Sequence, residues 1–113
     1  MAQSYKKNVL IHPNTKHEIK KFTKPIRKKF YEFFIQLRTF GKLSYPEGRK
    51  LIGHDLFEIR IRENGTYRSI YCYDRNRIII LSAFRKKTQK TPRKEIEKAI
   101  TRKSKLNNYK NEQ

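Results

Sequence analysis

Arg60 and Arg68 are the residues around which chemistry can be built. They lie on either side of Asn64-Gly65, a strong signal for a tight connection between two antiparallel strands. If Glu63-Asn64-Gly65 forms a three-residue loop with Gly65 left-handed, Arg62 faces Thr66 and Arg60 faces Arg68 on one sheet face, with Glu58 two residues along. A two-residue Asn-Gly turn would put Arg68 on the apolar face beside Ile61. An unpaired buried guanidinium is costly, so the three-residue loop is expected. Two arginines stacked across a sheet are unfavourable alone. Either an anion sits between them, since guanidinium forks brace oxyanions, or Glu58 and Glu63 neutralise them as ordinary ion pairs.

A second cluster follows. Arg85-Lys86-Lys87-Thr88-Gln89-Lys90-Thr91 supplies cations and hydroxyls where the chain is expected to leave the sheet, close to the strand arginines. It is either a solvated loop or part of a site for a polyanion. Glu47 and His54 flank the entry to the first strand of the pair and are candidates for proton transfer, although a histidine there also suits a turn.

The elements that must hold these residues are legible from periodicity. Residues 8–12 form a short apolar run before Pro13, read as a first strand. Asn14 or Thr15 is expected to cap a short helix carrying Ile19 and Phe22. Pro25 suits the first turn of a second helix, whose Ile26, Phe30, Phe33, Phe34, Leu37 and Phe40 recur at helical spacing before Gly41. From Phe57 the period becomes two: Phe57, Ile59 and Ile61 alternate with Glu58, Arg60 and Arg62. Tyr67 to Tyr73 makes the return strand, and Arg77 to Ala83 a third. The continuous Ile78-Ile79-Ile80-Leu81 run predicts burial on both faces, hence an interior strand. Phe84 to Thr91 reads as a polar basic loop. Pro92 opens a final helix with Ile96, Ala99, Ile100 and Leu106 inward. The order is β-α-α-β-β-β-α. An α+β fold is expected, with an antiparallel sheet, two N-terminal helices packed on it and a C-terminal helix. Residues 1–106 form one domain in this reading, and 107–113 a flexible tail.

Composition narrows the partners. The 113 residues carry 29 Lys+Arg against 10 Asp+Glu, a net charge of +19, so the domain sets up a long-range field that attracts polyanions. Seven Tyr and seven Phe argue for a packed domain rather than a basic tail, and charge with aromatics points to nucleic acid. The single Cys72 excludes an internal disulfide and a cysteine-based zinc cluster; within an apolar run it reads as a packed thiol. No metal site or cofactor is expected. Residues 1–11 lack a leader-like apolar stretch, and no run approaches the ~20 apolar residues of a membrane span. A cytoplasmic protein without membrane contact is expected.

The runs Lys50-Leu51-Ile52-Gly53-His54-Asp55-Leu56-Phe57-Glu58-Ile59-Arg60, Gly65-Thr66-Tyr67-Arg68-Ser69-Ile70-Tyr71 and Leu81-Ser82-Ala83-Phe84-Arg85-Lys86-Lys87-Thr88-Gln89-Lys90-Thr91-Pro92 resemble the phage-derived, HigB-like branch of the RelE/ParE toxin superfamily. The resemblance spans about residues 15–106. It implies a compact antiparallel sheet flanked by helices, cleavage of messenger RNA in the ribosomal decoding site, and a cognate antitoxin, often of helix-turn-helix type. By position it implies that Arg60 is a cation of the active surface, that Arg68 holds the scissile phosphate, and that Lys86 protonates the leaving group. Glu47 resembles a carboxylate base of some relatives. The base-stacking aromatic near the family's C-terminal end has no counterpart, because Pro92 occupies that place. Arg49, Lys50, Arg62, Arg85, Lys87, Thr88 and Lys90 are expected RNA contacts.

The chemistry suits the residues. RNA cleavage by its own 2′-hydroxyl needs a base, an acid for the 5′ oxygen and cations for the phosphorane, and no metal. A lysine serves as acid near neutrality only if its pKa falls, which crowding among cations would cause at Lys86. Two other readings use the same charge: a non-catalytic RNA or ribosome binder, and a ParE-like poison of DNA gyrase.

Overall fold

The computed structural model describes residues 7–86 and 90–111, the last five as backbone only. Its elements are β1 (Asn8–Ile11), α1 (Pro13–Lys20), α2 (Lys24–Phe40), β2 (Gly48–Lys50), β3 (Phe57–Arg62), β4 (Thr66–Asp74), β5 (Arg77–Lys86) and α3 (Arg93–Asn111). The strands form one sheet in the order β1-β5-β4-β3-β2. β2, β3, β4 and β5 are antiparallel neighbours, while β1 runs parallel to β5. The α+β architecture is the expected one, with a mixed sheet and one strand more than periodicity revealed. β2 escapes pattern reading because Gly-Arg-Lys has no alternating apolar residues. It pairs at the edge with 57–59, and Gly48 is there for space: a Cβ would lie 2.5 Å from that of Leu43.

Two apolar layers cover the sheet. On one face Ile19 of α1 and Ile26, Phe30, Phe34 and Leu37 of α2 pack on Ile59, Ile61, Tyr67, Tyr71, Ile78 and Ile80. On the other, Ala99 of α3, joined by Ile96 and Leu106, packs on Ile70, Cys72, Ile79, Leu81 and Phe84. The helices therefore lie on both faces of the sheet, whereas packing on one face is the expectation from sequence. The all-apolar run of β5 needs cover on both sides, and α3 supplies the second. Ile100, expected inward, is 43% exposed. The α3 helix continues to Asn111, through most of the stretch read as a tail. Cys72 is a free, buried thiol whose pKa burial pushes up, in keeping with a packing role.

Local signals set the helix ends. Pro13 opens α1, but its cap is His12, whose Nδ1 accepts from the Asn14 amide at 3.1 Å, rather than Asn14 or Thr15. Thr15 instead donates its hydroxyl to the Ile80 carbonyl at 3.2 Å, tying α1 to β5. Gly41 ends α2 with φ 78°, its amide bonding the Leu37 carbonyl at 2.8 Å.

β5 differs most from expectation. It does not end at Ala83 but runs to Lys86, and it contains a bulge: Ser82 pairs with Ile70, whereas Ile80 pairs with Tyr71, leaving Leu81 extra. β1 covers β5 only as far as Ile80. Past that point two groups at the bulge find side-chain partners: Arg102 donates to the Leu81 carbonyl at 2.7 Å, and Glu18 accepts from the Ala83 amide at 3.0 Å. Arg102 and Glu18 also pair with each other, at 2.9 Å. Burial works against the Glu18 charge, yet these donors hold its pKa below the usual value. Thus α1 and α3 clamp the irregular part of the strand.

Truncating the centre of the larger layer, Phe30→Ala, should lower unfolding free energy by about 3–5 kcal/mol in urea melts. On the outer side of the same helix, Ile35→Ala should change it by about 0.5 kcal/mol or less.

Candidate active site

The hairpin between β3 and β4 positions the two arginines as anticipated. Three residues, 63–65, connect the strands, and the Glu63 amide bonds the Gly65 carbonyl at 3.0 Å. Gly65 takes positive φ, at 127°, as the three-residue loop requires, and Asn64 beside it is left-handed too, at φ 52°. The register pairs Arg62 with Thr66, Arg60 with Arg68 and Glu58 with Ile70.

Glu58 occupies the middle of this group and is fully buried. Its Oε1 accepts from Arg60 Nε at 2.6 Å. Its Oε2 accepts from the Thr91 hydroxyl and lies 3.7 Å from Arg68 Nη1. Arg68 Nη1 in turn donates to Thr91 Oγ1 at 3.0 Å. The ion-pair reading of the stacked arginines therefore holds for Glu58; Glu63 turns to Lys29 instead, at 3.7 Å. Arg68 is only 1% exposed and pairs with Glu58 beneath the surface. Thr91, which sequence reasoning placed in a basic loop, links Glu58 to the start of α3, where the Pro92 carbonyl accepts from the Glu95 amide at 3.0 Å. A hydroxyl one residue before a helix-opening proline was the available signal.

Lys86 reaches the same face because of the bulge. Ile79 and Leu81 point toward α3, and simple alternation would send residue 86 the other way; the extra residue restores Phe84 and Lys86 to the face of Arg68. Its Nζ is buried and has no hydrogen-bond partner among the described residues. Burial, with the nearby charge of Arg68 and then of Arg60 and Lys90, brings its pKa down to about 8, although Glu58 pulls the other way. Arg68 is lowered for the same leading reason, burial, against the opposing pull of Glu58.

The remaining candidates divide. Arg49 pairs in register with Glu58 across β2. Arg60, Arg49, Arg62 and Glu47 line one open groove of about 580 Å³ between α2 and the β2–β3 edge, and the Glu47 carbonyl accepts from the Arg60 amide at 2.8 Å. Lys50 and Lys90 are exposed. His54 lies in the turn between β2 and β3, where its amide donates to the Leu51 carbonyl at 3.2 Å, and it does not line that groove. Arg85 departs from the expected cluster: paired with Tyr67 in the strand, it stacks over that ring at 5.5 Å and donates to the Asn64 carbonyl at 3.1 Å, on the face opposite Lys86. Lys87 and Thr88 lie outside the described residues. Among the described residues no three His, Cys, Asp or Glu side chains gather as a metal site would need. No helix of the described residues is long and apolar enough to cross a membrane.

Two measurements follow from this geometry. Glu58→Gln removes the one charge that raises the Lys86 pKa, so an NMR titration of the lysine side chain should find it below the wild-type value of about 8. Because the folded pKa lies below the ordinary 10.5, the unfolded chain binds the extra proton between these values, so stability should rise from about pH 8 to 10.5. Lys86→Met should remove that part of the rise.

Comparison with known proteins agrees with the fold. The family described as phage-derived protein Gp49-like matches residues 17–104. No curated protein matches. A double-arginine mutant of the E. coli toxin RelE in the free state superposes with a TM-score of 0.67 at 16% identity, over 86% of this chain and 97% of that one. The intact E. coli RelBE toxin–antitoxin complex gives 0.58 at 18%, over 74% and 99%. The toxin–antitoxin complex RelBE2 from Mycobacterium tuberculosis gives 0.57 at 18%, over 78% and 100%. The chain thus has the fold of the RelE toxins, and it belongs to the phage-derived Gp49-like family.

Proposed function

We propose that this protein is the toxin of a type II toxin–antitoxin pair in the HigB-like branch, and that it is a metal-independent endoribonuclease cutting messenger RNA in the cytoplasm. The observation that carries this reading is Lys86: an ammonium without a hydrogen-bond partner among the described residues, with a pKa of about 8, beside arginines on one sheet face. A group that gives up its proton near neutrality is what a departing 5′ oxygen requires.

In the proposed reaction the 2′-hydroxyl of one nucleotide attacks the adjacent phosphorus. The P–O5′ bond breaks and a 2′,3′-cyclic phosphate remains. Glu47, exposed in the groove beside Arg60, takes the 2′ proton, and Lys86 gives its proton to the 5′ oxygen. Arg60, the cation common to the groove and the Glu58 cluster, braces the phosphate. Arg68 acts from below as a positioning residue: it helps hold Glu58 and keeps positive charge against Lys86. The ribosome would align the RNA for in-line attack, which the open groove does not do alone. Arg49, Lys50, Arg62 and Lys90 supply contacts to the backbone, joined by Lys87 and Thr88.

The net charge of +19 suits an acidic antitoxin as well as RNA. The RelE chains of two similar structures are in complex with antitoxins, and a cognate antitoxin, of helix-turn-helix type by the resemblance, is the proposed partner. A second reading, passive RNA binding, draws on the burial of Arg68 and the pairing of Arg60 with Glu58.

Primer extension on a translated message after induction in growing bacteria separates these readings. In-frame cuts that vanish with Lys86→Gln, while RNA affinity changes less than about threefold, support the nuclease; growth arrest without cuts supports passive binding or gyrase poisoning. Single-turnover cleavage by the wild-type protein should fall above about pH 8, as Lys86 loses its proton. Binding should weaken with salt at a log–log slope near −3.5 for about five phosphate contacts.

A further inference from the structure

Tyr45 stands out from the other aromatic residues. It is 73% exposed, belongs to neither apolar layer, and sits on the rim of the groove that also contains Arg60. One face of its ring is taken by the Arg49 guanidinium, 4.8 Å from the centroid. An aromatic ring backed by a cation, with most of its surface open, is a stacking platform. The groove volume of about 580 Å³ falls within the roughly 300–1,000 Å³ of small-ligand sites.

We propose that this groove receives one unpaired base of a single-stranded RNA, stacked on Tyr45, with the flanking phosphate toward Arg60 and Arg62. The inference rests on the RNA-binding part of the function proposed above and names a subsite for it. Charge selects the ligand class. The cations Lys29, Arg49, Arg60 and Arg62 attract a phosphate backbone, but Glu32 and Glu47 also line the groove and would repel a bare anion or an acidic peptide. A nucleotide satisfies both sets, because its base edge offers N–H donors to carboxylates while its phosphate meets the arginines. Phe33 adds an apolar wall, and Gln36 an amide able to donate and accept toward a base edge. Arg49 is held in β2 opposite Glu58, so the platform is tied to the cluster that holds Arg60. Tyr45 would therefore fix the position of the nucleotide beside the phosphate that Arg60 and Arg62 receive.

The test is a double-mutant cycle on binding alone, with a short, end-labelled 2′-O-methyl RNA, which cannot be cleaved by its own 2′-hydroxyl, followed by fluorescence anisotropy. Replacing one nucleotide at a time by an abasic residue should reveal one position whose loss weakens wild-type binding about 5- to 100-fold, the range for removing one base–aromatic stack. Tyr45→Leu should weaken the intact RNA to a similar extent and make that abasic change nearly silent, while Tyr45→Phe should bind like wild type. Additive effects of Tyr45→Leu and every abasic substitution, or unchanged binding by Tyr45→Leu, would overturn the assignment, as would absence of wild-type binding. Thermal melts of Tyr45→Leu confirm that the exposed substitution leaves the fold intact. Because no cleavage is read, coupling at Tyr45 in a protein that cuts no RNA would sustain this inference and defeat the nuclease reading, and cutting without coupling would do the reverse.

Discussion

A buried carboxylate holds together the sheet face that carries Arg60, Arg68 and Lys86. Glu58 lies inside a sheet and has no water to solvate it, so its charge is tolerable only with donors at hand. Arg60 on its own strand, Arg68 on the next and Thr91 at the entrance to α3 provide them. The arrangement joins three elements distant in sequence, and removing one member of such a buried pair typically costs about 3–5 kcal/mol. It also explains how two arginines can stand opposite one another across a sheet. Their repulsion is offset by an anion that the chain itself supplies.

The same constraint shapes the chemistry. A single internal anion among Arg60, Arg68 and Lys86 leaves the group short of negative charge, and the deficit falls on the residue whose proton is easiest to release. Arginines stay charged at any accessible pH, so Lys86 takes the burden. Its pKa is lowered first by burial and then by the surrounding cations, so the shift belongs to the whole cluster rather than to one contact. A site built this way stores its unfavourable electrostatics where a polyanion can relieve them, in keeping with the large positive charge of the whole domain.

Placing Lys86 in that environment requires the Leu81 bulge, and the bulge requires its own support. Leaving one residue out of the ladder leaves backbone groups seeking partners, and Arg102 and Glu18 fill them from opposite layers. The side-chain cluster on one face and the α1–α3 clamp at the edge are therefore connected through one strand, β5. Its apolar stretch anchors both layers and its polar end carries the lysine.

Much of this was legible in the residues. Alternation through Phe57, Ile59 and Ile61, helical spacing through Phe30, Phe34 and Leu37, and the Asn64-Gly65 turn determined the strands, the main helix and the meeting of Arg60 with Arg68, because each depends on neighbours a few positions away. Other features were decided only by the tertiary structure. Gly48–Lys50 became a strand because β3 offered an edge to pair with, and α3 crossed to the second face because β5 needed cover there. Arg85 and Lys86, adjacent in a run of cations, were sent to opposite faces by extending the strand, and the bulge at Leu81 chose which face each received. Thr91 joined Glu58 across a separation of 33 residues. Such outcomes turn on pairing between distant segments and on the cost of burying charge without partners, and neither is written in the local order of residues.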